Sequence, residues 1–569
     1  SNNVVIDSTF IKNTAKYGGA ISIDYSENVG IDSIFMNNTA ILGGAIYSDG
    51  SLTITNSDFS DNYAKENVDK DVGYGGAIFA MGEKVEIKGG EFENNHALTA
   101  GAVYISKHAL TTTIDGVEFE GNWASDIGAL AVMGKDVTLN NLKFANNYTT
   151  GDFAGFNDGA GALFFGAESQ SKLTGGNFVN NESASRGGAI ATRNFTKGLN
   201  TNAVLDIDST TFVNNKAAEK GGAFDNYFYH SEINPDAVYV ANGSFHSNSA
   251  KHGGAIYNHG AESADGLTGA QAEQRAAIEL NNVEFVGNNA SIAGGAIFNE
   301  TGATVILSGN NTFAGNIAGK GANDIYNDGA LNITGGTTLI GGGIAGNGIL
   351  TLADGATLDI ANTTVKQSEI NINGTVALSI LSNRSYGRLI ADDGKLNVSD
   401  TAKLQLSVGG VGEYNIFDGN LAGFKNITYG ESYLVEELDN GYVKVTTKSV
   451  EDLAADTGLT TQAAGAVAAL ANSRSDKVQH ISLVFQEALN SGNKELIEQE
   501  SKKLNPEDKP VAQSVASSVQ NQVLSLATGR MAGGVAMGRA GGDESQENGF
   551  WMHGLFNKSK LNDQFHGYT

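Results

Sequence analysis

The chain has 569 residues, of which 74 are glycine, 3 are proline and none is cysteine, and its formal net charge at pH 7 is −27. Without cysteine it has neither a disulfide framework nor a thiolate metal site. An acidic surface repels phosphate backbones, so we expect no nucleic-acid partner. The sequence contains no apolar run of about 18 residues, so we predict no transmembrane helix.

A short phrase recurs through residues 1–330. It has a phenylalanine, an asparagine three residues later, and then a Gly-Gly-Ala-Ile sequence, as at Phe10, Asn13 and Gly18–Ile21. The phenylalanine and asparagine recur at Phe10/Asn13, Phe35/Asn38, Phe59/Asn62, Phe92/Asn95, Phe119/Asn122, Phe144/Asn147, Phe178/Asn181, Phe212/Asn215, Phe245/Asn248, Phe285/Asn288 and Phe313/Asn316. A period of roughly 25–40 residues indicates stacked structural repeats.

The segments between the phrases read as short strands. Residues 51–55 and 203–208 alternate apolar and polar side chains, which is typical of a strand with one buried face. No helical period separates them, so we predict a parallel β-helix, right-handed because parallel crossovers have that hand. We expect the phenylalanine rings to stack from coil to coil and the asparagine amides to bond at the bends. Gly43 and Gly44 are expected to allow positive φ.

Some coils carry extra residues, which must leave the rod as loops. The distance from phenylalanine to the glycine phrase is longer between Phe59 and Gly75 and between Phe144 and Ala160. Loops are where solenoids make contacts. We therefore name a set of aromatic residues in inserted segments as speculative ligand contacts: Phe153, Phe156, Tyr227, Phe228 and Tyr229. The alternative is that these rings fold over the rod and bury themselves.

An enzyme has to be considered, because parallel β-helices include polysaccharide lyases and hydrolases. Asp206 and Asp208 share one strand face, but we find no second acidic pair in the matching coils, which favours a solvated face. His246, His252 and His259 lie in turn-like sequence, so we expect exposed histidines rather than a metal site. We predict no catalytic residue, metal or cofactor and hence no enzyme. A carbohydrate-active β-helix enzyme is the alternative.

Composition divides the chain into five predicted segments. Beyond residue 330 the phenylalanines stop and aliphatic alternation continues, and at Val450 the sequence becomes alanine-rich with helical spacing. The segments are a repeat β-helix at 1–330, further β-helix coils and a cap at 331–449, a helical segment at 450–531, a flexible linker at 532–549 and an aromatic, strand-like segment at 550–569.

The two halves of the phrase resemble the repeats of chlamydial polymorphic membrane proteins and related autotransporter adhesins. The C-terminal order is similar to the passenger-to-barrel junction of type V autotransporters, with Pro506, a helix ending at Gly529, and then Trp551 and Gly554. The resemblance implies a passenger exported through the outer membrane by its own barrel, of which 550–569 would be the first strand. The chlamydial proteins contain cysteine and this chain does not, which indicates another Gram-negative bacterium.

The resemblance also implies a function. We expect an adhesin or structural rod on the cell surface, with release to the medium as a further outcome. The implied partners are a host surface protein or glycan, or a second copy of the chain, together with the outer membrane through the missing barrel. Self-association would be compatible with an asparagine-rich face along the rod. Because the sequence begins in mid-coil and stops after one barrel strand, we expect a fragment trimmed at both ends.

Overall fold

The computed structural model describes residues 4–504 except for 26–28, 67–72, 152–158, 167–168, 194–202, 228, 231–237, 261–274, 320–322, 383–384, 393–394, 418–423, 425, 431, 439–440 and 474. Within these residues the chain winds as a parallel β-helix and ends in a small antiparallel sheet and four helices. A coil of the repeat region contributes one strand each to sheet 1, sheet 2, the short sheet 3 and sheet 4, in that order. The predicted β-helix is confirmed, and four helices lie in the described part of the predicted helical segment 450–531. The predicted helix that follows Pro506 and ends at Gly529 lies outside the described residues.

Sheets 1 and 2 hold the first two strands of each coil. Sheet 1 is formed by Val4–Ile6, Val29–Ile31, Leu52–Thr55, Lys84–Lys88, Thr111–Asp115, Asp136–Asn140, Gln170–Thr174, Val204–Asp208, Val238–Ala241, Arg275–Asn281, Thr304–Ser308, Ala330–Ile333, Ile349–Leu352, Glu369–Ile372 and Leu396–Val398, with Tyr229–His230 antiparallel beside Arg275–Asn281. Sheet 2 is formed by Thr9–Ile11, Ile34–Met36, Asp58–Ser60, Glu91–Glu93, Glu118–Glu120, Lys143–Ala145, Asn177–Val179, Thr211–Val213, Ser244–His246, Glu284–Val286, Asn311–Ala314, Thr337–Ile340, Thr357–Asp359, Thr375–Ser382, Lys403–Val408 and Asn426–Tyr429, with Ser385–Tyr386 antiparallel beside Thr375–Ser382.

In a coil of the repeat region, the strand of sheet 3 follows the repeat asparagine, and the strand of sheet 4 follows the Gly-Gly-Ala-Ile sequence, which we call the glycine phrase. Sheet 3 is formed by Thr39–Ala40, Tyr63–Ala64, His96–Ala97, Trp123–Ala124, Tyr148–Thr149, Glu182–Ser183, Lys216–Ala217, Ser249–His252, Asn289–Ala293 and Ile317–Ala318. Sheet 4 is formed by Ile21–Ile23, Ile46–Ser48, Ile78–Ala80, Val103–Ile105, Leu130–Val132, Leu163–Phe165, Ile190–Thr192, Phe224–Asn226, Ile256–Asn258, Ile297–Asn299, Ile325–Asn327, Ile344–Ala345, Thr364–Lys366 and Arg388–Ile390.

A column of phenylalanine rings runs through the core on sheet 2. Phe35, Phe59 and Phe92 occupy paired positions on neighbouring strands, and each is fully buried. Their ring centroids are 4.7 and 4.6 Å apart with interplanar angles of 3°. The column extends in the same way from Phe10 to Phe313. Because every coil places its ring at the same position, the core is continuous along the rod.

A second internal column consists of the buried asparagines at the bend between sheets 2 and 3. The Oδ1 atom of Asn122 accepts from both the backbone N–H and the Nδ2 of Asn95, each at 3.0 Å. The Nδ2 of Asn122 donates to the carbonyl oxygen of Phe92 at 2.7 Å. The same Nδ2 also donates to Asn147 Oδ1 at 3.0 Å, so each amide joins three successive coils and satisfies backbone groups that would otherwise be buried without partners.

The idea of an asparagine-rich outer face was wrong for the repeat asparagines, because they lie inside the rod. The Nδ2 atoms of Asn181, Asn215 and Asn248 each donate to the Oδ1 of the next asparagine at 3.0 Å. The bend turns these amides inward, where the backbone groups of neighbouring coils need partners. Asn13, in the first coil, is half-buried. The repeat asparagines with no exposed surface are Asn38, Asn62, Asn95, Asn122, Asn147, Asn181, Asn215, Asn248 and Asn288.

The two glycines of the Gly-Gly-Ala-Ile sequence have different structural roles. Gly43 has φ of +60°, a conformation that residues other than glycine rarely adopt. Gly44 does not have positive φ, so that prediction was wrong for it. A Cβ atom there would lie 2.1 Å from the carbonyl oxygen of Gly76 in the next coil. Gly44 is therefore required by the close approach of neighbouring backbones.

The rod closes with an antiparallel sheet of Gly412–Asn415, Tyr433–Glu437 and Tyr442–Thr447, followed by helices α1 (Val450–Thr457), α2 (Thr461–Ala471), α3 (Asp476–Asn490) and α4 (Lys494–Lys503). The Tyr433 hydroxyl lies 3.0 Å from the Ser482 hydroxyl on α3, which joins the helices to the cap. Of the helices described, none has the length and apolarity to cross a bilayer. The predicted linker and barrel start, at 532–569, lie outside the described residues.

Candidate functional surface on sheet 4

The outer face of sheet 4 carries one side chain from the middle of each strand, because successive strand residues point to opposite faces. We call the residues in register along this face the outer column: Ser22, Tyr47, Phe79, Tyr104, Ala131, Phe164, Ala191, Asp225, Tyr257, Phe298 and Tyr326. Most positions are aromatic. The middle of the column is covered, because Phe164 and Tyr257 are buried and Phe164 belongs to a second, small apolar cluster. The candidate contact surface is therefore limited to the first and last coils of the column, where tyrosine side chains are partly accessible.

The first coils of this face hold a group of five rings, Tyr17, Tyr47, Tyr74, Phe79 and Tyr104, which we call the aromatic cluster. Ring centroids are 5.3 Å apart for Tyr17 and Tyr47, 5.8 Å for Tyr47 and Phe79, and 5.1 Å for Tyr74 and Tyr104. Tyr17 is 41% exposed. Burial raises the pKa of Tyr104 to about 12, so its hydroxyl stays protonated well above neutral pH.

Long connections border this sheet on both sides. Five connections of residues 1–330 are longer than the others: 65–77 and 150–162 enter sheet 4, and 193–203, 227–237 and 259–274 leave it. The other sheets are joined by short bends in the same region. The longer connections therefore begin or end at the strands of sheet 4, and insertions of this kind are where a solenoid displays variable contacts.

The structure places only part of the predicted aromatic contact set. Tyr227 is 8% exposed, and its ring centroid lies 3.7 Å from that of His259. Tyr229 belongs to the short strand paired with Arg275–Asn281. Phe153, Phe156 and Phe228 lie outside the described residues. Ligand contact by these five residues stays a prediction.

The three histidines do not converge. His246 is in sheet 2, 3.6 Å from the Glu284 carboxylate, and His252 is in sheet 3, with its ring 5.2 Å from that of Phe298. His259 follows sheet 4 and is fully buried. Within the part of the chain that the structure describes, no group of three or more histidine, aspartate or glutamate side chains is arranged to hold a metal ion.

The prediction that His259 is an exposed turn residue was wrong. Its Nε2 lies 2.9 Å from Asp225 Oδ1, and its Nδ1 lies 3.6 Å from Glu300 Oε2. Burial lowers the pKa of His259, against the opposing effect of Asp225. The sequence around it resembles a turn, but the stacking of coils places the ring between Tyr227 and Tyr257. With no exposed surface, this histidine cannot meet a dissolved substrate.

The acidic pair on sheet 1 lies beside basic, polar, apolar and aromatic residues rather than beside further carboxylates. Asp206 and Asp208 lie beside Lys172 and Thr174 in the preceding coil. In the following coil their paired positions hold Tyr239 and an alanine. Neither neighbouring coil supplies a second acidic pair, so the arrangement of two facing carboxylate groups that glycoside hydrolysis uses is not formed here.

A polar cleft of about 310 Å³ opens beside Gly151 and Gly159, lined among others by Asp126, Thr149 and Glu219. Burial raises the pKa of Asp126 to about 7, against the opposing effect of Arg193. The Oδ1 atom of Asp126 is inaccessible and has no hydrogen-bond partner among the described residues. The cleft therefore holds a carboxyl group that is partly protonated at neutral pH.

The first two coils also match a known repeat. Residues 7–24 and 32–49 match the Chlamydia polymorphic membrane protein repeat. The chain therefore carries repeats of this type. Each matched segment contains a phenylalanine of the core column, its asparagine and the glycine phrase, so the match rests on the residues that build the coil. Among curated proteins, none matches this chain.

Sequence reasoning missed the aromatic cluster. Its signal was present, because the outer-column residue directly follows the Ala-Ile or Ala-Val of the phrase, as for Tyr47, Phe79 and Tyr104. Tyr17 and Tyr74 have no such signal, because they precede the phrase and join the cluster only through stacking.

Proposed function

We propose that this chain is the surface-displayed passenger of an autotransporter-type protein and acts as a non-enzymatic adhesin. The match to polymorphic membrane protein repeats and the long rod support display at the outer membrane of a Gram-negative cell. The observation that carries the adhesin role is the aromatic cluster on sheet 4, in the coils where the long connection 65–77 enters that sheet.

Tyrosine suits such a surface for a physical reason. Each ring offers a large apolar area with only two side-chain torsions to order, and its hydroxyl can bond a partner at the same time. Tyr17, Tyr47 and Tyr74 keep part of their rings accessible. A host surface protein or glycan fits these properties. A second copy of the chain fits less well, because each copy carries a net charge of −27.

The test is binding of the full chain to a panel of matrix proteins and glycans, with released sugars measured in the same wells. We expect saturable binding without products. The double variant Tyr74→Ala/Tyr104→Ala should weaken binding by at least about tenfold, because buried aromatic anchors dominate interface energies.

Tyr239→Ala is the matched control. Tyr239 lies on the outer face of sheet 1, away from the aromatic cluster, and its loss should leave binding within about twofold. Equal losses in the two variants would contradict the assignment of the site to sheet 4. Release of sugar products would instead support the carbohydrate-active enzyme.

A further inference from the structure

A different surface lies at the bend between sheets 2 and 3 in the third to sixth coils. We call it the acidic–aromatic corner. Its carboxylates point outward from sheet 2 and its rings point outward from sheet 3, and its members are Asp58, Glu91, Glu93, Glu118 and Glu120 with Tyr63, His96, Trp123 and Tyr148. It shares no residue with the outer column of sheet 4.

The carboxylates of this corner face one another in register. Glu91 is opposite Glu118, and Glu93 is opposite Glu120, on neighbouring parallel strands. Like charges directly opposite one another destabilise a sheet. Burial and the surrounding carboxylates, Glu93 first among them, raise the pKa of Glu91. The sequence thus retains a charge arrangement that costs stability, which a structural role does not explain.

Few cations offset this charge. Lys143 forms an ion pair with Glu118 at 2.8 Å. Within the described ranges, Glu91, Glu93 and Glu120 have no ion-pair partner; Glu93 and Glu120 accept hydrogen bonds from asparagine amides only. The corner therefore presents unpaired negative charge to solvent, and a positively charged partner would relieve its repulsion.

The rings beside these carboxylates form an external ladder. Tyr63 and His96 are 4.2 Å apart, His96 and Trp123 4.8 Å, and Trp123 and Tyr148 6.0 Å, all stacked. Tyr148 is 40% exposed. Because the faces of the inner rings cover one another, edges rather than faces meet solvent. A sugar ring, which stacks on an aromatic face, fits this ladder poorly, whereas aliphatic side chains pack on such edges.

The carboxylates of sheet 2 and the ring edges of sheet 3 lie next to each other, on either side of one bend. Only two residues separate Glu93 from His96, and two separate Glu120 from Trp123. We propose that the acidic–aromatic corner docks a basic, amphipathic protein segment of another molecule. Its lysine or arginine side chains pair with the carboxylates, and its apolar side chains pack on the ring edges. A second copy of this chain is a poor occupant, because it brings the same excess of negative charge.

The test is fluorescence anisotropy of the full chain with a labelled ten-residue peptide of alternating arginine and leucine. We expect saturable binding that weakens at least about tenfold between low and high salt, as charge complementarity requires. Glu91→Gln/Glu93→Gln should weaken it at least about fivefold while leaving the thermal midpoint unchanged or higher.

Two comparisons make the test specific. Asp206→Asn/Asp208→Asn removes the same charge from the same i, i+2 positions of a sheet 1 strand, and it should leave the peptide affinity within about twofold. Trp123→Ala should weaken binding of the arginine–leucine peptide more than that of deca-arginine. Equal losses in the two acidic variants would show attraction by overall charge only and would overturn the proposal. Loss of binding on Tyr74→Ala/Tyr104→Ala would overturn it too, since that cluster is on sheet 4.

Discussion

Replacing one ring of the phenylalanine column tests how the rod is held together. Phe59→Ala removes a fully buried ring that stacks on Phe35 and Phe92 at 4.7 and 4.6 Å. Truncation of a buried phenylalanine costs about 3–5 kcal/mol through lost transfer energy and the cavity left behind. With two stacked neighbours that cannot collapse without moving their own coils, we expect about 4 kcal/mol.

The control is Phe10→Ala. Phe10 is only half-buried and has one neighbouring ring, Phe35, at 5.0 Å. Its truncation removes one stacking contact and leaves a space already open to water. We expect about half the effect of Phe59→Ala, or about 2 kcal/mol.

Hydrogen exchange is the suitable assay, because unfolding of a long repeat array is not two-state and one midpoint would average over many coils. Amides of Ile34–Met36 and Glu91–Glu93, on either side of Phe59, should exchange about a thousandfold faster in Phe59→Ala, as 4 kcal/mol requires. An acceleration below about tenfold, or one no larger than Phe10→Ala causes in its own coils, would refute the ring column as a main source of stability.

Three further changes test other parts of the coil. Asn122→Ala should lower the local opening free energy, measured by hydrogen exchange of Glu91–Glu93 and Glu118–Glu120, by about 3 kcal/mol, because it leaves buried partners such as the Phe92 carbonyl without a hydrogen bond; a loss below about 1 kcal/mol would contradict this. Gly76→Ala should reduce folded yield sharply, because its Cβ would lie 1.9 Å from the Gly101 carbonyl oxygen, and normal yield would show that the coils can separate there. Asp126 has a pKa raised to about 7, so its folded form keeps a proton that the unfolded chain loses above about pH 4, and stability falls as the pH rises toward 7. Asp126→Asn should remove this loss, so the local opening free energy from hydrogen exchange of Trp123–Ala124 and Leu130–Val132 should exceed that of the parent by more at pH 7.5 than at pH 4, by no more than about 4 kcal/mol, and a pH-independent difference would refute the shift.

The architecture could be predicted from the sequence because the coils of the repeat region carry the same residue types at the same positions. A phenylalanine, an asparagine and a glycine phrase occur in fixed order, and a buried column forms wherever identical residues stack in register. The same logic located the bends and the change to aliphatic packing after Phe313, opposite Ile340. The sequence did not separate the roles of Gly43 and Gly44. Gly43 is needed for its positive φ, whereas Gly44 is needed because the backbone of the next coil lies too close for a Cβ atom.

The composition of the outer surfaces could not be predicted in the same way, because residues far apart in sequence become neighbours only after the coils are aligned. Connections of unequal length separate the coils, so Asp225 and His259, 34 positions apart, gave no sign of being paired. Glu91 and Glu118 likewise become neighbours only through the register of sheet 2. The sequence alone therefore determined a rod of stacked coils with a filled core. The tertiary structure decided which side chains share an outer face, because that depends on the register of the strands. The core repeats fix this register, but connections of unequal length make it hard to read from the sequence.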